Sequence, residues 1–559
     1  MAKFSIYQVL VRHFGNTNSH RKHNGSLTEN GCGKMNDFTT KALNEIKELG
    51  ISHVWYTGIL EHATQTDYSA YGIKQDHSAI VKGMAGSPYA VKDYYDIDPD
   101  LAVNVPNRMK EFENLVNRTH KADLKLIIDF IPNHVARQYY SDSKPEGIND
   151  LGENDTVNWA FSPLNNFYYC TNQAFNPYFE IGDYTEFPAK ATGNDQFTAS
   201  PGKNDWYETV KLNYGVNYTE GGHKQFNPIP DTWYKMYEIL HFWASKKVDG
   251  FRCDMAEMVP VEFWGWVIPR IKADFAEVIF IAEVYNMAEY RNYIFNGKFD
   301  YLYDKVGLYD KLRAITIENH AASDITHCWQ AINGIENKML NFLENHDEQR
   351  IASDFFCGNA SLAFPAMVAA ATLNKAPIMI YAGQELGEKG IDHEGFSGKD
   401  GRTSIFDYWG VESMQNWFNN GKFGDSKLSE EEKYTRDFYK KLLNITITEK
   451  AITHGELYDL EYANYYNEHF NTHRQFAYFR KFEQELLLIV LNFDYQDVNL
   501  KLNIPTEVFT FLSIKNGNMV TICDLLSTVH QEFNTTLSSD KLLELPMVKH
   551  TACIYKIKY

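Results

Sequence analysis

Arg252 and Asp254 stand two residues apart at the end of a short apolar run, Gly-Phe-Arg-Cys-Asp. On a strand such residues share one face, and a guanidinium beside a carboxylate holds it ionised and aims it. Alone, the pair reads equally well as a structural tie. Three further apolar runs end in the same way: Asp129-Phe-Ile-Pro-Asn133-His134, Glu283 after Val-Ile-Phe-Ile-Ala, and Asn345-His346-Asp347 after Asn-Phe-Leu-Glu. Three carboxylates brought together with an arginine and two histidines suit cleavage of a glycosidic bond. Neither a nucleophile elbow, a phosphate-cradling glycine loop nor an HExxH motif points to another chemistry. Asp254 beside Arg252 suits the nucleophile. Glu283 follows an apolar run with no cation near it in sequence, which suits an acid/base whose proton must survive near neutral pH. Asp347 is left to stabilise a cationic transition state.

Residues so far apart meet only if the elements carrying them converge. Eight strand candidates, near 6–12, 51–56, 124–130, 249–254, 278–284, 301–303, 339–343 and 377–381, alternate with helical patterns and are apolar on both sides. The spacing predicts an α/β fold, a (β/α)8 TIM barrel whose C-terminal strand ends open on one face. After the third strand the rhythm breaks for roughly a hundred residues rich in Asn, Asp, Tyr and Gly, too long for one loop. It reads as an inserted subdomain, with Trp159, Phe161, Phe167, Tyr168, Tyr169, Phe175 and Tyr178 as its core, as a cleft wall, or both. Asp231 is expected to cap the following helix. Beyond about Thr453 the pattern becomes all-β, predicting a C-terminal antiparallel β-sandwich. The expected division is 1–134 and 231–452 for the barrel, 135–230 for the insert and 453–559 for the sandwich.

The 559 residues exceed what one core accommodates. A formal net charge of −19 disfavours nucleic acid or an anionic membrane as partner, and aromatics at 15% suit flat sugar rings. Seven scattered cysteines without CxxC spacing argue against a disulfide framework or a zinc site. No membrane-spanning or signal-like apolar segment is visible. A cytoplasmic enzyme is therefore expected, the alternative being the mature form of a secreted or periplasmic one.

The four clusters, in order, resemble the conserved regions of the α-amylase family, glycoside hydrolase family 13. The resemblance implies Asp254 as nucleophile, Glu283 as acid/base and Asp347 as stabiliser, in agreement with the chemical assignment. It also implies that His134, Arg252 and His346 bind the sugar, that Tyr89 of Ser87-Pro-Tyr stacks on it, and that Asn133 is a ligand of a structural calcium. No cofactor is implied for the chemistry itself. Two departures stand out. Where many relatives carry Lys-His after the nucleophile this chain has Glu257 and Met258, and Ser87 stands where many carry His. Glu257 thus reads either as an altered contact to the leaving-side sugars or as a residue turned away into structure. The expected activity is retaining hydrolysis of α-1,4-glucosidic bonds in starch, glycogen or maltodextrins. The alternatives are glucosyl or maltosyl transfer on the same scaffold and a catalytically inactive glucan-binding barrel.

Overall fold

The computed structural model describes residues 3–390, 398–527 and 532–559. Its centre is a parallel sheet of β1 (Ser5–Leu10), β2 (His53–Thr57), β3 (Lys125–Phe130), β4 (Gly250–Cys253), β5 (Ile279–Ala282), β6 (Tyr301–Tyr303), β7 (Met339–Leu340) and β8 (Ile378–Tyr381). The strands neighbour one another in sequence order, with β8 against β1. A parallel bridge between Asn341 and Ile378 joins β7 to β8 and closes the ring. Every residue of these strands except Lys125 is buried, as doubly covered parallel strands require. The eight strands lie where the sequence puts them, within a few residues. The seventh is shorter than expected: beyond Leu340 only the bridge of Asn341 to β8 continues it, with the Asn341 N–H on Pro377 O (3.1 Å) and the Met379 N–H on Asn341 O (2.9 Å).

The helices present the apolar stripes read from sequence. Asp231–Ser245, for example, buries Trp233, Met236, Leu240 and Trp243. Asp231 does not cap it. Pro230 is the N-cap, and the Asp231 carboxylate instead meets Lys235 Nζ (2.9 Å) and Asn166 Nδ2 (3.0 Å). A side chain one residue inside the helix cannot reach back to the N–H groups that a cap would serve.

Between β3 and β4 the insert is held by small antiparallel ladders rather than by one sheet. One of them, His134–Ala136 against Thr209–Lys211, sets His134 directly opposite Lys211. Of the aromatics expected here, Phe167, Tyr168, Tyr169 and Phe175 are buried and act as core. Trp159 and Tyr178 are exposed.

The C-terminal region is antiparallel and built as two layers. Six strands pair in the order 456–459, 475–482, 485–492, 551–558, 518–524, 532–537. One face, with Tyr478, Leu487, Ile489 and Ile554, joins the barrel core. The other, with Phe479, Leu488 and Val490, packs with Leu500, Leu502, Leu543 and Leu545 of a separate two-stranded ladder. Among the described residues no helix is long and apolar enough to cross a membrane, and all seven cysteines are free.

Candidate active site

The ends of β3, β4 and β5 and the segment after β7 open into a cavity of about 400 Å³. Tyr89, His134, Asp254, Glu283, His346 and Asp347 line it together. Arg252 lies behind them, fully buried, and anchors the set. Its Nη1 donates to Asp254 Oδ1 (2.6 Å) and its Nε to the Tyr303 hydroxyl (3.2 Å). Its Nη2 sits 2.9 Å from Glu283 Oε2, an ion pair off the hydrogen-bond direction. Asp129 Oδ1 is 3.8 Å from the same guanidinium.

The absence of a cation near Glu283 in sequence therefore does not carry into space: Arg252 serves both carboxylates. Register brings this about, because β4 pairs Arg252 with Asp129 of β3 on one side and with Ile281 of β5 on the other, two residues before Glu283. Glu283 also accepts from the Met255 N–H at Oε2 (2.8 Å) and from the Tyr285 hydroxyl at Oε1 (2.5 Å). Met255 follows Asp254 in a left-handed conformation (φ 42°, ψ 42°), strained for a non-glycine residue and found here at the reacting end of the strand. Cys253 is buried and lies outside the cavity lining.

The charges are arranged asymmetrically. Burial pushes the Asp254 carboxyl well above the usual carboxylate range. Arg252 opposes that rise, while the Glu283 and Asp347 charges add to it. Asp254 is thus a carboxyl on which burial and its acidic neighbours favour the proton, against the pull of Arg252. Burial acts upward on Asp347 too, but His346, with Arg252 and Arg402 adding to it, outweighs that and holds this carboxyl below its ordinary value. Gln8 Nε2 lies 2.7 Å from His346 Nδ1, and His346 Nε2 lies 3.0 Å from Asp347 Oδ2. The Nε2 side of the ring thus faces Asp347. Tyr89 stacks on His346 (centroids 5.0 Å, 20°). Burial, with Lys211 adding to it, pushes His134 down to about 3, so it enters the cavity as a neutral ring.

Sequence reasoning missed Tyr285, Trp206, Glu208, Lys82 and Phe406, all of which line the cavity. Tyr285 was findable, two residues beyond Glu283 on the same extended run. Trp206 and Glu208 come from the insert, where no periodicity marks them. Glu257, by contrast, is absent from the lining. Its Oε2 accepts from the backbone N–H groups of Tyr285 (3.1 Å) and Asn286 (3.0 Å), so it clasps the loop after β5. Ser87 does line the cavity and accepts from the Tyr89 N–H at Oγ (3.2 Å).

The surroundings of Asn133 do not fit a calcium ion. Asn133 Oδ1 accepts from Lys211 Nζ, which also lies 2.7 Å from Asp195 Oδ1 and 3.3 Å from Met258 O. An ammonium offers only donors and a positive charge, whereas calcium takes six to eight oxygens. A separate acidic group, Glu61, Asp96 and Asp142, surrounds Arg108, whose Nη2 lies within 3.9 Å of each. None of the three lines the cavity.

Comparison with known proteins agrees with this geometry. The chain is 24% identical to "Alpha-amylase 3" of Dictyoglomus thermophilum over 536 residues, 92% of this chain and 89% of that one. It is 24% identical over 400 residues to "Alpha-amylase" of Streptomyces lividans, covering 66% of this chain but only 41% of the longer relative. The solved structure of a "noncanonic maltogenic alpha-amylase AmyB from Thermotoga neapolitana" matches 100% of this chain and 99% of its own, with a TM-score of 0.63 at 17% identity. The family model described as "Alpha amylase, catalytic domain" matches residues 8–420, the span that holds all four clusters. A closed β/α barrel, an acidic cluster round one buried arginine at its mouth and this match together make the chain an enzyme of the glycosidase type and a member of the α-amylase family.

Proposed function

We propose that the chain is a retaining glycosidase that cleaves α-1,4-glucosidic bonds of starch, glycogen or maltodextrins. The observation that carries this reading is the single guanidinium of Arg252 shared between Asp254 and Glu283 at the wall of a cavity. One fork serving two carboxylates favours the short separation of a retaining pair, about 5 Å, over the roughly 6.5–9.5 Å that an inverting enzyme needs for a water between them.

Asp254 attacks the anomeric carbon as the bond to the leaving oxygen breaks, and that oxygen takes a proton from Glu283. Asp347, held anionic by His346, faces the positive charge that develops on the ring. In the second half Glu283 removes a proton from water, the water oxygen bonds to the anomeric carbon, and the ester to Asp254 breaks. Tyr89 offers an aromatic face and His134 a neutral ring to the sugar, while Trp206 and Phe406 add aromatic surface to the same lining.

The test is digestion of maltoheptaose in ¹⁸O-labelled water, followed by mass spectrometry and early-time NMR. The expected result is one ¹⁸O atom at each new reducing end and the α-anomer formed first. Elongated, unlabelled chains identify a transferase, and no product at all identifies a binding protein. A β-anomer formed first rules out retention.

A further inference from the structure

We infer that the Lys211 ammonium is a built-in structural cation, fastening the insert to the strands that carry His134 and Asp254 in the position where the family resemblance calls for calcium. Its three oxygen contacts come from three separate stretches of chain: Asn133 just beyond β3, Asp195 within the insert, and the carbonyl of Met258, four residues beyond Asp254. The side chain is only 2% exposed, so these contacts replace the hydration that the ammonium has lost.

The tie extends one step further through Asn133. Its Nδ2 donates to Gly193 O (2.8 Å) and lies 3.1 Å from His134 Nδ1. Gly193 passes so close that a Cβ there would lie 2.9 Å from the His134 Cβ, so the insert backbone rests directly on the sugar-facing histidine. The ladder reinforces this, since Lys211 pairs with His134 across it. Asp195 reaches the ammonium from a left-handed backbone (φ 62°), a conformation that aspartate tolerates better than most residues.

Charge decides between the ammonium and a metal. The ammonium already brings a positive charge among these oxygens, and a divalent ion placed there would meet that charge and find two of its ligands already engaged. Lys211 is thus a positioning residue: it touches no reacting atom, but it sets where His134 stands.

The test needs neither substrate nor turnover as its primary readout. Purified protein is dialysed against EDTA or against calcium chloride, then assayed for bound calcium by atomic emission and for its melting temperature. The parent is expected to hold no stoichiometric calcium and to melt at the same temperature in both. Lys211→Met, which keeps the aliphatic stem, is expected to melt roughly 5 °C lower. Its insert should be cut faster by trypsin, and the KM for maltoheptaose should rise more than kcat falls. If Lys211→Met does not fold, Asp195→Asn, which leaves the ammonium in place without its counter-charge, should show the same losses in smaller measure. One calcium per chain in the parent, or a parent melting temperature that EDTA lowers and calcium restores, overturns the inference. So does a Lys211→Met protein as stable as the parent.

Discussion

Among the arginines buried at the mouth of this barrel, Arg350 and Arg252 do opposite things. Arg350 pairs with one carboxylate, Glu344 (Nη1 to Oε2, 3.0 Å), and gives its remaining contacts to Ala382 O (3.0 Å), the Thr403 hydroxyl (3.0 Å) and the face of Tyr381. Glu344 in turn takes the Ile351 N–H (2.6 Å). The pair is closed on itself, both side chains are 1% exposed, and neither residue lines the cavity that holds Asp254 and Glu283. Arg252 faces Asp254 and Glu283 with Asp129 nearby, so negative charge is in surplus and part of it looks into open space. The lesson concerns reading sites. A buried arginine–carboxylate pair closed off by backbone acceptors is a tie, whereas one guanidinium stretched over several carboxylates at a cavity wall is a reaction centre.

The sharpest break of this comparison is to neutralise each cluster in turn. Asp254→Asn and Glu283→Gln are expected to lower kcat by roughly 10⁴-fold, the scale of a lost nucleophile or acid, while circular dichroism and melting stay close to the parent. A Glu283→Gln enzyme within tenfold of the parent would remove Glu283 from the chemistry. Arg350→Met and Glu344→Gln should do the reverse. Leaving one buried charge unpaired costs about 3–5 kcal/mol of stability, yet the folded fraction should keep the parental KM. If urea unfolding finds them as stable as the parent while turnover collapses, the division between tie and reaction centre fails.

How much of this was legible in the sequence depends on range. Strand ends are local signals, so Asp129, Asp254, Glu283 and Asp347 could be assigned to one face from apolar runs that stop in polar residues. The environment of each was not, because it is set by register between strands: Glu283 looked cation-free until β4 set Arg252 alongside it. The insert was legible only as an interruption. Its ladders are two or three residues long, below the length at which alternation can be read, and so Trp206 and Lys211 carried no mark. The C-terminal region was half legible. Leu486–Phe493 is a strong apolar run, but Asn518–Asp524 and Glu532–Leu537 expose much of one face and blend into loops.

A second pair, smaller in effect, contrasts a histidine at the cavity with one buried away from it. Burial pushes His134 and His53 each down to about 3, and a neighbouring lysine adds to it in both. Their unfolded counterparts titrate near 6.5, so between these values the unfolded state binds the extra proton. Stability is therefore present above about pH 6.5 and is lost as pH falls towards 3, by about 1.4 kcal/mol per pH unit for each histidine. His53 packs on Phe4 (centroids 4.3 Å) and lies outside the cavity lining. His53→Phe is expected to make the acid side of the stability profile shallower by one histidine's share with kcat unchanged, whereas His134→Phe should also raise KM. Equal acid slopes in the parent and His53→Phe, measured by urea unfolding from pH 7 to 5, would show that His53 does not stay neutral.

The smallest expected effect belongs to Glu257, the departure nearest the nucleophile in sequence. Its charge does not look onto the sugar. Oε2 instead collects two backbone N–H groups, those of Tyr285 and Asn286, and so fixes the loop from which the Tyr285 hydroxyl reaches Glu283 Oε1. The chain of consequence runs from Glu257 to the loop, to Tyr285, and only then to the acid/base, so its loss should be felt as misplacement rather than as missing charge. Glu257→Gln keeps an oxygen acceptor in the same place and is expected to retain parental kcat/KM within a factor of about two. Glu257→Ala leaves both N–H groups without that acceptor, at a cost on the order of 1.4 kcal/mol, and should lower kcat/KM about tenfold. Both measurements are made with maltotriose and with maltoheptaose. If Glu257 touched the leaving-side sugars, the two substrates would respond differently and the glutamine variant would share the loss; if it clasps the loop, both substrates fall together in Glu257→Ala alone.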